Sequence, residues 1–187
     1  MHKEITLVVT SCGRYDLLAK TLESFYRWNT YPVSEVIIAE DWEREGQVWH
    51  IDLAYSRVKT PYIFACEDDW EFYRTGFIEK SLEILEKYPS ILQVWLREHN
   101  DTNGHPIVKL PQFDCETMKA DWGIWGGFSW NPGLRRLCDY QKIGSSYLKY
   151  GQEHLVSKAY QDLGFHAAIL PEGYVKHIGW TRGLPKV

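Results

Sequence analysis

The sequence predicts a single α/β domain in which helices flank a mostly parallel central sheet. Short apolar runs rich in β-branched and aromatic residues alternate with longer segments whose apolar residues recur at helical spacing. The first strand, helix and second strand fall within residues 5–39, which is the size of one right-handed βαβ unit. The chain of 187 residues is long enough for one domain with a sizeable core.

The opening unit contains two strands that end near each other. Residues 5–10, ITLVVT, are almost continuously apolar, as expected for a strand buried in a parallel sheet. After a turn, Asp16 is predicted to cap a helix. Residues 33–39, VSEVIIA, form the second strand, and two acids, Glu40 and Asp41, follow it directly.

The next strand, residues 62–66 (YIFAC), stops at three carboxylates, Glu67, Asp68 and Asp69. Crowded carboxylates repel one another, and a divalent cation with hard oxygen ligands, Mg²⁺ or Mn²⁺, removes that repulsion. Ligands of open α/β sheets bind beyond the carboxyl ends of the strands, where these acids lie. Asp69 is the preferred metal ligand because it points to the same side of an extended chain as Glu67, whereas Asp68 points away and is a helper.

The remaining elements are predicted from periodicity and turn residues. Asn131 and Pro132 have the residue types of a helix cap and a first helical turn, and Gly164 has that of a helix end. The predicted elements are a weak helix over 46–58, a helix capped by Thr75, a strand over 91–96, a loop or loose hairpin over 97–114, a short helix after Asn131, a helix from about 153 to 163, and strands over 166–170 and 174–178.

Composition narrows the functional classes. A net charge of −4 without a block of Lys and Arg argues against nucleic-acid binding. The four cysteines lack CxxC spacing, which argues against a zinc site. Cys66 belongs to a predicted buried strand, which favours free thiols and a reducing compartment. No apolar run approaches 18 residues, and the first strand begins too early for a signal peptide, so we expect a cytoplasmic protein without a transmembrane segment. Nine Trp and twelve Tyr suit sugar or base stacking, but they suit a thick core equally well.

In their order and separations, these segments resemble a glycosyltransferase of the GT-A fold, near the large inverting group called family 2. Residues 10–14 (TSCGR), followed by DLLAKTLES, look like that family's opening strand, loop and helix, and EDD looks like its DxD motif. Residues 127–134, GFSWNPGL, are similar to its acceptor-side segment. Glu153-His154 looks like its ED pair, with His in place of the second acid. The EDDW form also resembles the small glycosyltransferase domains of large algal viruses.

The resemblance implies a single, Rossmann-like GT-A domain over residues 1–187, with a donor half over about 1–96 and an acceptor half over about 97–187. It implies transfer of a sugar from a nucleoside-diphosphate sugar to an acceptor hydroxyl, on a glycan or sugar, with Mn²⁺ or Mg²⁺ as cofactor. UDP is the favoured nucleotide, and GDP is the alternative. Inversion at the anomeric carbon is expected from the family alone.

The donor residues follow from the same resemblance. Asp41 corresponds to an acid that binds the base, and Thr10 and Ser11 contact the nucleoside through their backbone. Glu67 contacts either the metal or the ribose, because it replaces the family's first Asp. His177 matches a late metal-ligand histidine. Three further residues are assigned to the nucleotide sugar: Asp68 as a helper, Arg14, which reaches the diphosphate or else pairs with a surface acid, and Gly127, which lets the backbone approach the donor sugar or else serves a tight turn.

The catalytic and acceptor residues are expected in the second half of the chain. An inverting transfer needs a base that takes the proton of the acceptor hydroxyl. Glu153 matches the acid that serves as base in the family's ED pair, and Asp121 is the alternative. Three tryptophans, Trp122, Trp125 and Trp130, offer flat faces to an acceptor sugar.

Two other functions remain open at this stage. A sugar nucleotidyltransferase also combines a nucleotide-binding fold with acidic metal ligands, but it carries a longer Gly-rich, basic loop than residues 11–14 provide. A non-catalytic carbohydrate-binding protein would use the aromatic residues alone. Its sugar binding would be indifferent to chelators and to nucleoside diphosphates.

Overall fold

The computed structural model describes residues 2–120 and 126–180, and within them strands and helices alternate as expected. The strands are β1 (Ile5–Ser11), β2 (Glu35–Glu40), β3 (Tyr62–Glu67), β4 (Trp70–Phe72), β5 (Ile91–Trp95), β6 (Ile107–Val108), β7 (Glu116–Met118), β8 (Gly133–Arg136), β9 (His166–Ile169) and β10 (Val175–His177). The helices are α1 (Tyr15–Trp28), α2 (Gln47–Tyr55), α3 (Phe77–Lys87), α4 (Leu137–Lys142) and α5 (Glu153–Asp162).

Eight of these strands form one sheet in the order β2-β1-β3-β8-β5-β9-β7-β6. β1 pairs in parallel with β2 and β3, and β5 pairs in parallel with β9. Following the pairings across the sheet, only β7 and β8 of the eight run against the other strands. The predicted mostly parallel sheet is therefore confirmed.

Helices cover both faces of the sheet because successive side chains of each buried strand point to opposite sides. On one face, Leu7 and Val9 of β1 belong to a core that includes Phe25 of α1 and Phe77 of α3. On the other face, Val8 belongs to a second core that includes residues of α2 and α5. The predicted βαβ unit, β1-α1-β2, lies at the β2 edge of this sheet.

The predicted short helix after Asn131 is wrong, since residues 133–136 form β8. This strand pairs antiparallel with β3, with Phe64 opposite Leu134, and it also pairs with β5. Gly133 permits the fit, because a Cβ there would lie 2.8 Å from the carbonyl oxygen of Val94. The Asn-Pro pattern indicates a helix start locally, but pairing with two distant strands determines the structure. The next helix, α4, begins only at Leu137.

Two predicted caps are also wrong. Asp16 lies inside the first turn of α1, whose N-cap is Arg14. The N-cap of α3 is Gly76 rather than Thr75, and Gly76 has a φ of 85°. Neither helix has a side-chain capping hydrogen bond. By contrast, Gly164 follows α5 with a φ of 80°, as expected for a helix end.

A second, two-stranded sheet brings the end of the chain to the acidic turn. β4 follows Asp69 after a tight turn and pairs antiparallel with β10, with Trp70 opposite His177. Thr21 of α1 holds this turn, because its hydroxyl donates to the carbonyl of Asp68 (2.8 Å) and accepts from the amide of Trp70 (3.1 Å). No sequence pattern predicts β4.

The segment over 97–114, expected to be a loop or loose hairpin, contains β6, which pairs antiparallel with the unpredicted β7. None of the described helices is both long enough and apolar enough to span a bilayer.

Candidate active site

Five of the predicted donor residues line one cleft at the carboxyl edge of the sheet, whereas Asp68 and Gly127 are not part of its lining. β1, β2 and β3 are parallel neighbours, with Ser11 opposite Glu40 and Thr10 opposite Glu67, so their last residues meet at this edge. The cleft has a volume of about 250 Å³. Its lining includes the predicted residues Thr10, Ser11, Arg14, Asp41 and Glu67, and also Cys12, Ala39, Arg44, Gly46, Gln47 and His50.

Asp41 is buried in the wall of this cleft and already holds several donors. Its carboxylate accepts hydrogen bonds from the amides of Glu45 (2.9 Å) and Gly46 (3.0 Å). The Nε2 of His50 lies 2.8 Å from Asp41 Oδ1. Asp41 therefore folds the loop after β2 around itself and ties it to α2. Recognition of a base by this carboxylate stays a prediction.

Glu67 is held by two neutral donors. Oε1 accepts a hydrogen bond from the side-chain amide of Gln47 (2.7 Å), and Oε2 accepts one from the indole N–H of Trp70 (3.2 Å). Burial raises the pKa of Glu67, and the charge of Asp69 raises it further. A carboxyl group in these surroundings is oriented toward the cleft without being paired to a cation.

Asp68 is fully buried and forms an ion pair with Arg14. The Nε of Arg14 donates to Asp68 Oδ2 (3.2 Å), and Nη2 contacts Oδ1. Burial raises the pKa of Asp68, although the guanidinium opposes that shift. The expectation that Asp68 points away from Asp69 on an extended chain is wrong, because residues 68 and 69 form a turn and Arg14 bonds both carboxylates. The helper role of Asp68 stays a prediction. The partners of Arg14 are the buried acids of the cluster rather than a surface acid, since Nη1 also donates to Asp69 (2.7 Å).

Asp69 and His177 lie together although 107 residues separate them in the chain. His177 Nε2 is 3.3 Å from Asp69 Oδ2, and the amide of Ile178 donates to the carbonyl of Asp69 (2.8 Å). Gly179 permits the approach, because a Cβ there would lie 2.3 Å from Asp69 Oδ2. Burial acts to raise the pKa of Asp69, but the hydrogen bond from His177 and the charge of Arg14 lower it overall.

Two atoms of this pair are of the types that ligate divalent cations. Asp69 Oδ1 and His177 Nδ1 are buried, and neither has a hydrogen-bond partner among the residues that the structure describes. Within residues 2–120 and 126–180, no cluster of three or more acidic, His or Cys side chains is arranged to hold a metal ion. A site with few protein ligands suits Mg²⁺ or Mn²⁺, which complete their coordination with water and substrate phosphates. The protein thus offers at most part of a metal site.

Glu153 is the first residue of α5 and is held by the segment before β8. Its Oε2 accepts hydrogen bonds from the amide of Trp130 (2.8 Å) and the hydroxyl of Ser129 (3.4 Å). Burial raises the pKa of Glu153, while the Trp130 amide and the charge of Arg135 oppose the shift. The charge of Glu153 in turn raises the pKa of Glu67, so the two carboxyl groups lie within electrostatic reach of each other.

No protein-family model matches the sequence, and no curated protein matches it. Solved structures do match. The mannosyltransferase PcManGT from Pyrobaculum calidifontis, in complex with GDP-Man and Mn²⁺, has a TM-score of 0.70 at 11% identity over 98% of this chain. Residues 1–349 of S. aureus TarS, in complex with UDP-GlcNAc, have a TM-score of 0.62 at 10% identity over 95% of it.

The chain has a GT-A fold. This part of the expectation is confirmed, since both matches extend over almost the whole chain. The chain itself spans only 59% of the PcManGT chain and 61% of the TarS fragment. At these identities the likeness concerns the fold, and the activity has to be argued from the site.

Other predicted residues of this GT-A fold have different outcomes. Gly127 is buried with a φ of 93°, and a Cβ there would lie 2.7 Å from the Cβ of Ala167, so packing already explains the glycine. The ring of Trp130 is half-buried and packs against Phe128 and Tyr147, at 4.7 and 5.2 Å between ring centres. Contacts of Gly127 with a donor and of Trp130 with an acceptor stay predictions. Asp121, Trp122 and Trp125 lie outside the described residues.

Four residues that shape the site are not predicted by the sequence patterns: Gln47, His50, Trp70 and Arg135. Gln47 and His50 are three residues apart on α2, so helical spacing alone places them on one face next to the cleft. That spacing was a usable signal. Nothing in the local sequence indicates that the indole of Trp70 donates a hydrogen bond to Glu67, or that the charge of Arg135 acts on Glu153.

Proposed function

We propose that this chain is a metal-dependent, inverting glycosyltransferase that moves a sugar from a nucleoside-diphosphate sugar to a hydroxyl group of a glycan or sugar acceptor. The observation that carries the proposal is the Asp69–His177 pair beside the cleft. An acidic group with a lowered pKa and an unpartnered oxygen stands at the sheet edge where a GT-A fold leaves room for a ligand.

The structural neighbours support the ligand class. PcManGT is in complex with GDP-Man and Mn²⁺, and TarS with UDP-GlcNAc, so this fold accommodates nucleotide sugars carrying different bases. The family resemblance favours UDP for this chain. GDP stays the alternative, and both belong in the test.

The cleft residues are assigned to the nucleoside. Asp41 and His50 form the wall of the cleft where the base binds. The backbone of Thr10 and Ser11, at the edge of the sheet, contacts the nucleoside. Glu67 binds the ribose rather than the metal in this proposal. Its oxygens are held by neutral N–H donors, and hydroxyl groups of a ribose are donors of the same kind.

Asp69 and His177 are assigned to the cation, Mn²⁺ or Mg²⁺. When bound, that ion neutralises the charge that develops on the leaving diphosphate. Arg14 forms an ion pair with Asp69 in the free protein. When the donor binds, Arg14 exchanges this partner for a diphosphate oxygen. The donor half thus takes its second metal ligand, His177, from the second half of the chain.

Glu153 is assigned as the base. It takes the proton of the acceptor hydroxyl while the acceptor oxygen bonds to the anomeric carbon. The bond from that carbon to the diphosphate breaks, and its electron pair leaves with the diphosphate. The amide of Trp130 and the hydroxyl of Ser129 hold Glu153 Oε2, and within the described part of the chain no donor is bonded to Oε1. Trp130 and the segment before it, with Trp122, Trp125 and the alternative base Asp121, border the acceptor.

A thermal-shift panel tests the donor assignment. UDP, GDP, TDP and CMP are each added with and without Mn²⁺, and with Mn²⁺ plus a chelator. We expect a nucleoside diphosphate to raise the melting temperature only when free Mn²⁺ is present, because binding to the folded state stabilises it. If no nucleotide stabilises the protein with Mn²⁺, or if all do so equally well with chelator, the metal-dependent donor site is contradicted.

A further inference from the structure

Arg135 of β8 is a buried cation whose direct partners are neutral. Only 3% of its surface is exposed. Its guanidinium donates to the hydroxyl of Tyr55 (3.2 Å) and to the carbonyl oxygens of Ser129 and Asn131, the latter at 3.3 Å. It also lies over the ring of Phe128, 4.8 Å from its centre. Among the described residues, no carboxylate lies within ion-pair distance of it.

Burying a charge in this way costs folding free energy. Removing a cation from water without a counter-ion carries a large desolvation penalty, and an apolar residue of similar size would avoid it. Among the described residues, the Nε of Arg135 has no hydrogen-bond partner, so its bonds do not fully offset the cost of burial. Packing alone therefore does not account for an arginine here.

The two carbonyl groups that Arg135 holds belong to the residues on either side of Trp130. The amide of Trp130 and the hydroxyl of Ser129 are the groups that hold Glu153 Oε2. One guanidinium thus supports both hydrogen-bond donors of the proposed base. The charge of Arg135 also acts on Glu153 directly, because it lowers the pKa of that carboxyl group against the effect of burial.

We propose that Arg135 is the positioning residue of Glu153: it holds residues 129–131 so that their donors orient the carboxylate, and it supplies the positive charge that balances it. The inference rests on the proposed role of Glu153 as base.

Within the described part of the chain, Arg97, which follows β5, and Glu67, at the end of β3, also interact electrostatically with Glu153. Arg97 is already paired with Asp101, with its Nε 3.1 Å from Asp101 Oδ2. Arg135 is therefore the cation near Glu153 whose charge is not balanced by another described acid.

Arg136 provides a matched control on the same strand. Successive residues of a strand point to opposite faces, and Arg136 pairs with Asp139 and donates to the carbonyl of Ile91 (2.9 Å). It is largely buried and makes many structural bonds, but it has no contact with residues 129–131 or with Glu153. Loss of Arg136 reports on stability alone.

The kinetic experiment compares Arg135→Met, Arg135→Lys and Arg136→Met with the wild type, below the melting temperature of each. Arg135→Met is expected to lower kcat about 10- to 100-fold, through misplacement of the base, with the donor KM unchanged. The acid limb of its pH profile moves to higher pH, because Glu153 loses a stabilising charge. Arg135→Lys keeps the positive charge but loses the hydrogen bonds to the carbonyl oxygens of Ser129 and Asn131. Its kcat should therefore fall, while the acid limb of its pH profile stays where it is in the wild type. Arg136→Met lowers the melting temperature and leaves kcat and the acid limb unchanged.

A second readout needs no turnover. The carboxyl carbon of Glu153, assigned by its loss in Glu153→Gln, is titrated by NMR in the free protein. The midpoint pH of this titration is expected to be higher in Arg135→Met than in the wild type, and to equal the wild-type value in Arg135→Lys and Arg136→Met. If the wild type transfers no sugar while this coupling is present, the proposed function fails and the charge coupling survives. If Arg135→Lys has the same kcat as the wild type, the positioning role is overturned. This result decides the test even if Arg135→Met does not fold.

Discussion

The two ends of the cleft differ in how far the protein satisfies its own polar groups. At the nucleoside end, the Asp41 carboxylate accepts hydrogen bonds from two backbone amides and contacts His50, so this acid is satisfied without a ligand, although the hydroxyl of Ser11 beside it lacks a hydrogen bond within the described residues. At the diphosphate end, Asp69 Oδ1 and His177 Nδ1 are buried and have no partner among the described residues, and Arg14 supplies the positive charge. The first end is preorganised, whereas the second is built to be completed by what binds there.

This difference has an energetic meaning. A buried polar atom without a partner costs free energy, and a ligand that supplies the partner recovers it. Binding at the diphosphate end should therefore depend on charge and on the cation, while binding at the nucleoside end should depend on shape and on a fixed loop. The following substitutions separate these two dependences, beginning with the largest expected effect.

Asp69→Asn should abolish metal-dependent binding of the diphosphate. The amide keeps the shape of the side chain but loses the charge that a divalent cation requires, so transfer should fall about 1000-fold or more, given the several kcal/mol that metal ligation supplies. Stabilisation by nucleotide should no longer depend on Mn²⁺. The assay is transfer of labelled sugar combined with the thermal-shift panel. Glu71→Gln, an exposed acid on β4, is the control and should behave as the wild type. Normal Mn²⁺ dependence in Asp69→Asn would refute the metal assignment.

Glu153→Gln should leave both ends of the cleft intact and remove the base. Turnover is expected to fall about 100-fold or more, with donor affinity unchanged. In the wild type, burial raises the pKa of Glu153, so the carboxyl group takes up its proton at a higher pH than an ordinary glutamate. Because the base acts when ionised, kcat should fall as the pH drops through that raised pKa, and this limb should vanish in the variant. Unchanged turnover would exclude Glu153 and leave Asp121 as the candidate.

Arg14→Met should have opposite effects on the ion and on the complete donor. Without the competing guanidinium, Mn²⁺ alone should bind roughly fivefold more tightly, which corresponds to about 1 kcal/mol for one ion pair. The affinity for UDP with Mn²⁺ should fall by a similar factor, since a charge-assisted bond to the diphosphate is lost. Isothermal titration measures both. Arg27→Met, an exposed arginine on α1 paired with Glu23, is the control. A fall in both affinities would contradict the exchange of partners.

Asp41→Asn should act on the nucleoside end alone. The side-chain amide cannot accept from all its present donors, so the free energy of unfolding should fall by about 1–3 kcal/mol, the cost of an unsatisfied buried group. Nucleotide affinity should decrease a few-fold, while its dependence on Mn²⁺ stays as in the wild type. Chemical denaturation and titration calorimetry give the two values. A loss of Mn²⁺ dependence would show that the two ends are not independent.

The nucleoside end was largely predictable from local sequence. Buried strands and the acids after them are visible in a few consecutive residues, and parallel strands bring those acids to one edge. The cleft residues Thr10, Asp41 and Glu67 follow from that rule. Even here, local reasoning did not reveal that the Asp41 carboxylate is occupied by its own loop and by His50.

The rest of the site depends on contacts that no local pattern encodes. The Asp69–His177 approach came from the family resemblance and is made by the pairing of β4 with β10, two short strands far apart in sequence. Residues 133–136 read locally as part of a helix, yet they are inserted between β3 and β5 as β8, and that strand is what carries Arg135 behind Glu153. Long-range pairing decided both positions.

The central claim is tested most directly by a crystal of the complex with a nucleoside diphosphate and Mn²⁺, measured with anomalous scattering from manganese. The account predicts a manganese peak at about 2.2 Å from a carboxylate oxygen of Asp69, with diphosphate oxygens on the same ion and the base in the cleft between Asp41 and Glu67. A nucleotide bound in that cleft with no manganese peak beside Asp69, or a peak held by other residues, would contradict it.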